Sequence, residues 1–68
     1  MITDDREYAA ALERIGWFQQ QVAHLRRSVP NPANYRAAVV GFLSELDRMQ
    51  REVREFLSLH PTELKGIA

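Results

Sequence analysis

The chain has 68 residues, of which 46% are hydrophobic and 26% are charged, a composition typical of one small folded domain. It contains no cysteine, which excludes disulfides and thiolate zinc sites and favours a cytoplasmic protein. Nine basic and nine acidic side chains cancel, so the total charge creates no general attraction to nucleic acid or to an anionic membrane.

The sequence also lacks the patterns of membrane insertion and export. No stretch reaches the ~18 uninterrupted apolar residues that a membrane-spanning helix needs. The first five residues include two aspartates and no basic residue, whereas a secretion signal begins with basic residues. We therefore expect a cytoplasmic protein with no membrane anchor.

The first predicted helix begins near Asp4 and ends near Arg27. Thr3 or Asp4 is expected to cap it, with Glu7 three residues after Asp4 as in a capping box. Its apolar residues are spaced three and four apart, which is the heptad spacing of a helix that packs against another helix. This first seam consists of Tyr8, Ala11, Ile15, Phe18, Val22 and Leu25.

Two prolines interrupt the helical pattern in the middle of the chain. Pro30 and Pro32 are too close together to lie inside one continuing helix. Asn31 is the expected N-cap of a second helix, which Pro61 ends near residue 58. The second helix carries an unbroken heptad seam of its own, made of Tyr35, Val39, Phe42, Leu46, Met49, Val53 and Phe56.

The short connection favours two antiparallel helices. Pairing positions whose numbers sum to about 60 or 61 places every residue of the first seam opposite one of the second, for example Phe18 opposite Phe42 and Tyr8 opposite Val53. The sequence therefore predicts an all-α protein: an antiparallel helical hairpin with helices at about 4–27 and 32–58. The hairpin domain covers residues 1–60 and a C-terminal tail covers 61–68.

A lone hairpin of this size is expected to be marginally stable, because domains this small bury only about 60% of their unfolded surface. Further apolar side chains lie beside the two seams. We therefore expect hairpins to dimerise into a two-fold symmetric four-helix bundle. The residues predicted to contact the second subunit are Leu12, Trp17, Leu43 and Leu57.

Catalytic and metal-binding patterns are missing from the sequence. His24 and His60 are predicted to lie near opposite ends of the hairpin, and no Glu-x-x-His step of the kind found in di-iron bundles occurs. There is also no glycine-rich phosphate loop and no Ser–His–Asp arrangement. We expect no enzymatic activity, no cofactor and no metal.

Two stretches of the chain resemble a known family. Residues 1–8, Met-Ile-Thr-Asp-Asp-Arg-Glu-Tyr, and residues 43–57, with the pattern Leu-x-x-Met-x-x-Glu-Val-x-Glu-Phe-Leu, are similar to small bacterial XRE-type helix-turn-helix regulators, among them HigA-like antitoxins. In those proteins a helical hairpin precedes the DNA-binding domain. The resemblance does not extend to that domain. It implies an accessory or dimerisation segment associated with a regulatory or toxin–antitoxin system.

The leading interpretation is a small protein–protein interaction or oligomerisation protein. A second hypothesis is a binding module whose groove takes an amphipathic helix from a heterologous partner. A third is a nucleic-acid accessory protein, in which Arg26 and Arg27 beside the turn contact the nucleic acid. The other arginine-rich stretch, residues 45–55, is predicted to be a salt-bridged outer surface because Asp47–Arg51, Arg48–Glu52 and Arg51–Glu55 are each four residues apart.

Overall fold

In the computed structural model, which describes residues 1–63, the chain forms two long α-helices. Helix α1 is Asp5–Ser28 and helix α2 is Pro32–Ser58. They are joined by residues 29–31 and run side by side in opposite directions, forming a rod of 49 × 16 × 14 Å. The predicted all-α hairpin is thereby confirmed. Residues 61–63 of the predicted tail are helical, and residues 64–68 lie outside the described residues.

The start of α1 is fixed by polar side chains, as predicted. Asp4 is the N-cap, and its carboxylate accepts a hydrogen bond from the Glu7 backbone N–H at 2.7 Å. The Glu7 carboxylate accepts from the backbone N–H of Thr3 at 2.9 Å and from its hydroxyl at 3.2 Å. In a standard capping box the carboxylate accepts a hydrogen bond from the N–H of the cap residue. Here Glu7 instead accepts from Thr3, the residue before the cap.

The connection between the helices follows from its prolines. Val29 is extended, with φ −110° and ψ 101°, because Pro30 disfavours the helical conformation in the residue before it. Its N–H still donates to the carbonyl four residues earlier, at 2.9 Å. Asn31 then caps α2, and its side-chain oxygen accepts from the N–H groups of Ala33 and Asn34 at 2.9 and 3.1 Å. The reversal is therefore completed in three residues.

The core of the hairpin is the contact between the two predicted seams. All thirteen seam residues are buried or half-buried. The buried members are Ile15, Val39, Leu46, Met49 and Phe56. The half-buried members are Tyr8, Ala11, Phe18, Val22, Leu25, Tyr35, Phe42 and Val53.

The predicted register describes the middle of the hairpin. The rings of Phe18 and Phe42 meet edge to face, with centroids 5.7 Å apart. Ile15 and Leu46, which the register also pairs, belong to one buried cluster. The two independent heptad patterns therefore meet as their spacing indicates.

At the open end of the hairpin the contacts depart from the simple pairing. The Tyr8 ring stacks on Phe56, with centroids 5.2 Å apart, although the register places Tyr8 opposite Val53. Side chains in an α-helix point toward the N-terminus of their own helix. Because α1 and α2 run in opposite directions, Tyr8 and Phe56 lean toward each other along the rod. Val53 packs beside them in the same cluster.

Ile2 is a core residue that the heptad patterns do not reveal. It lies before α1, yet it is only 6% exposed and packs against Phe56, with Tyr8 and Leu59 around them. It precedes the N-cap by two residues, close to the position of the apolar residue in a hydrophobic staple. Ile2 therefore covers the open end of the core.

Replacing Ile2 with alanine should destabilise the hairpin by about 2 kcal/mol, because truncating a buried isoleucine leaves a cavity. The neighbouring Met1 is 67% exposed and supplies a matched control, for which the change should stay within about 0.5 kcal/mol. Urea unfolding followed by far-UV circular dichroism measures both variants. Equal losses for Ile2→Ala and Met1→Ala would contradict this role of Ile2.

Candidate self-association face

The hairpin has two broad outer faces, one on each side of the plane that contains both helix axes. Each residue of an α-helix is rotated by about 100° from the one before it. A residue that follows a seam residue therefore lies on one face, and a residue that precedes a seam residue lies on the other. Both helices are right-handed, and they run in opposite directions with their seams facing each other. Residues that follow a seam residue therefore lie on the same face of the hairpin in α1 and in α2.

One face exposes four large apolar side chains, each of which directly follows a seam residue. We name it the leucine face; its members are Leu12, Val40, Leu43 and Leu57. They are 44%, 62%, 44% and 61% exposed, respectively. The three leucines are among the predicted subunit contacts. Val40 was not predicted, although it follows Val39 in the same way that Leu43 follows Phe42.

Small residues occupy much of α1 on the same face. Ala9, Gly16 and Ala23 are spaced seven apart, and each follows a seam residue. A Cβ atom added to Gly16 would meet nothing within 4 Å, so packing inside the hairpin does not require glycine there. On this face α1 therefore carries three small residues beside Leu12, and α2 carries the larger Val40, Leu43 and Leu57.

Trp17 does not belong to the leucine face. It precedes the seam residue Phe18, so it lies on the opposite face. Its ring packs edge-on against Phe18 at 5.0 Å and remains 53% exposed. The four predicted subunit contacts are therefore divided, with three leucines on one face and the tryptophan on the other.

A shallow groove of about 320 Å³ lies on the face that carries Trp17. Aromatic rings and small residues form most of its lining, and one carboxylate lies at its edge. The lining residues are Phe18, Ala38, Gly41, Phe42 and Glu45. Such a lining suits an apolar side chain of a partner.

The charged side chains beside this groove form an ion-pair network. Arg48 contacts both Glu45 and Glu52, the second at 3.0 Å. The hydrogen bond from Arg48 lowers the pKa of Glu45, burial opposes this, and the charges of Arg48 and Arg14 lower it further. Arg14, on α1, precedes a seam residue just as Glu45 does on α2. The rule above therefore places both on the face that carries Trp17.

The arginine-rich stretch of α2 is salt-bridged at one of its arginines. Of the predicted pairs, Arg48–Glu52 forms. The pairs of Arg51 with Asp47 and Glu55 are not within ion-pair distance in the described part of the chain. Arg51 and Arg54 point to solvent as exposed side chains.

Metal-binding clusters and membrane-spanning helices are absent from residues 1–63. Within residues 1–63 no three His, Asp or Glu side chains converge as a metal ion would require. No helix in that range is both long and apolar enough to cross a membrane.

Replacing Arg48 with alanine should raise the pKa of Glu45, because its main hydrogen-bond donor is lost. Because the pKa of Glu45 is lowered, its ion pair with Arg48 stabilises the folded hairpin at neutral pH, and this stabilisation is lost as the pH falls through that pKa. Carboxyl-detected NMR titration measures the change. Arg51→Ala, one turn away and outside the network, should leave the titration of Glu45 unaltered; an equal rise in both variants would contradict the assignment.

No protein-family model matches the chain, and neither a curated protein nor a solved structure matches it. The resemblance of residues 1–8 and 43–57 to XRE-type regulators thus stays a prediction. The exposed faces of the hairpin are the remaining basis for a proposal about function.

Proposed function

We propose that this protein is a self-associating helical hairpin, in which two copies bury their leucine faces against each other and form a four-helix bundle. Its role is to hold protein chains together, without catalysis and without a cofactor. The observation that carries the proposal is the leucine face, where four large apolar side chains are 44–62% exposed on one side of the rod.

The chemistry of this face supports a protein partner. Single exposed apolar residues are ordinary, but four on one face of a small protein favour an interaction site. Val40 and Leu43 are neighbours on this face, whereas Leu57 is separated from them by Asp47, Gln50 and Arg54. In the heptad pattern the four apolar residues flank the seam, and apolar flanks of this kind are typical of helices in bundles with more than two members. A second hairpin would cover both helices of the face at once.

The amount of exposed surface also supports association. The chain exposes 5247 Å², whereas a compact monomer of 7.9 kDa exposes about 4400 Å². The excess of several hundred Å² is of the order of one partner's share of a standard interface, about 800 Å². Burying one face would bring the exposed surface per chain close to that of a compact protein.

The setting that we propose is the cytoplasm of a bacterium, in a regulatory or toxin–antitoxin system. This part of the proposal is supported by the resemblance of residues 1–8 and 43–57 to the hairpins of XRE-type regulators. The cysteine-free sequence fits a reducing compartment. A dimerisation hairpin in such a system would set the spacing of the partners to which it is attached or bound.

One observation favours a second candidate function, a binding module for a heterologous amphipathic helix. The groove beside Trp17 is lined by Phe18 and Phe42 and lies on the face away from the leucines. An apolar side chain of a partner helix could enter it, with Trp17 as the exposed aromatic contact. The two functions use opposite faces and can be separated by substitution.

Replacing Leu43 with glutamate should weaken self-association by a factor of at least about 100, because two copies would bury unpaired carboxylates at the interface. The side chain is 44% exposed in the hairpin, so the substitution opens no cavity in the seam contact. Sedimentation velocity over a range of concentrations measures the association, and circular dichroism monitors helix content.

Trp17→Glu is the matched control, because Trp17 is similarly exposed and lies on the other face. It should leave the dimer intact. If Trp17→Glu abolishes association and Leu43→Glu does not, the groove and not the leucine face is the interface. A chain that sediments as a folded monomer at millimolar concentration would remove the proposal of self-association.

A further inference from the structure

The charges of this protein are separated along the rod, although they cancel in total. All nine acidic residues lie in ranges 1–13 and 45–63. Residues 14–44 contain four arginines and no acidic residue. The hairpin folds this basic stretch back on itself around the connection, so one half of the rod is basic and the other half is acidic.

Both halves present their charges to solvent. Arg26, Arg27 and Arg36 are exposed near the connection. The described part of the opposite half contains nine acidic residues and four arginines, an excess of five negative charges. The rod is 49 Å long, several times the Debye length of about 8 Å at physiological salt, so the two ends do not neutralise each other.

We infer that the partner that fits the leucine face is a second copy in the reversed orientation, with the connection of one hairpin beside the open end of the other. This inference rests on the proposed self-association and adds its geometry. In the reversed arrangement each basic end meets an acidic end. In the parallel arrangement the two basic ends, with Arg26 and Arg36 of both copies, would lie together and repel.

The small residues of α1 fit the reversed arrangement. A two-fold axis beside Gly16 packs α1 on α1 and pairs positions whose numbers sum to about 32. Ala9 of one copy then lies opposite Ala23 of the other, and two Gly16 residues meet at the axis. In the reversed arrangement the small residues of one copy therefore pack against the small residues of the other.

The same register places Asp5 of one copy near Arg26 of the other, twice by symmetry. Both residues are exposed in the single hairpin and are free to pair. Arg6 also lies in the acidic half. Arg54 follows a seam residue, so it lies on the leucine face, where the same register brings it near Arg36 of the other copy as a like charge. Over the whole of that half, nine acidic residues against four arginines still leave an excess of five negative charges.

Disulfide trapping tests the orientation directly, because the native sequence has no cysteine. The variants Ala9→Cys and Ala23→Cys are mixed in equal amounts, oxidised and separated on a non-reducing gel. The reversed arrangement predicts a mixed disulfide between the two variants. Ala10→Cys with Ala23→Cys is the matched control, because Ala10 lies on the other face, and it should not cross-link.

A mixed disulfide between Ala9→Cys and Gln50→Cys would overturn the inference, since only the parallel arrangement brings α1 of one copy over that part of α2 of the other. The proposed self-association would then still hold. Sedimentation of the same samples before oxidation separates the two failures: a monomer removes the proposed function, and a dimer with the wrong cross-link removes only the orientation.

A charge exchange gives a second readout. Asp5→Arg alone and Arg26→Asp alone should each weaken self-association roughly tenfold, since two exposed ion pairs become repulsive contacts. Mixing the two variants should restore association, because each introduced charge then meets its opposite. Failure of the mixture to recover would contradict the pairing. If Arg26→Asp leaves association unchanged and instead abolishes salt-sensitive binding of an oligonucleotide, the basic end serves nucleic acid and the inference falls.

Discussion

The structure depends on the contact between two heptad seams. Every residue of both seams is buried or half-buried, and all the buried side chains of α1 and α2 belong to the seams. A contact between only two helices has one layer of side chains. This single layer holds the two helices together and leaves both outer faces of the hairpin exposed to water. The function therefore depends on the side chains of those faces.

Patterns with a fixed period predicted most of the fold. The three-and-four spacing identified all thirteen seam residues, and cap chemistry at Asp4 and Asn31 gave the helix starts. The burial of Ile2 was not predicted, because Ile2 lies outside both helices and joins the core only through tertiary packing. The pairing of Tyr8 with Phe56 escaped because sequence spacing gives the level of a residue along the rod, whereas contact also depends on the direction of its side chain.

The candidate face was only partly predictable. Apolar residues beside the seams indicated a surface. The division of Trp17 and Leu43 between two faces follows from their positions before and after a seam residue, once the two seams are known to face each other. The charge separation was hidden for a different reason. A sum over the chain is zero, and the asymmetry becomes a physical property only when residues 14–44 fold into one half of a rod. Counting charge by position along the predicted hairpin would have revealed it.

The contact between Ile2 and Phe56 at the open end affects how the hairpin forms and opens. Contacts near the three-residue connection join residues that are close in sequence, so they close small loops at little entropic cost. The contact of Ile2 with Phe56 joins positions more than fifty residues apart and closes the largest loop. It should therefore form late in folding and open first. Ile2 then governs how long the folded hairpin lasts, with little influence on how quickly it forms.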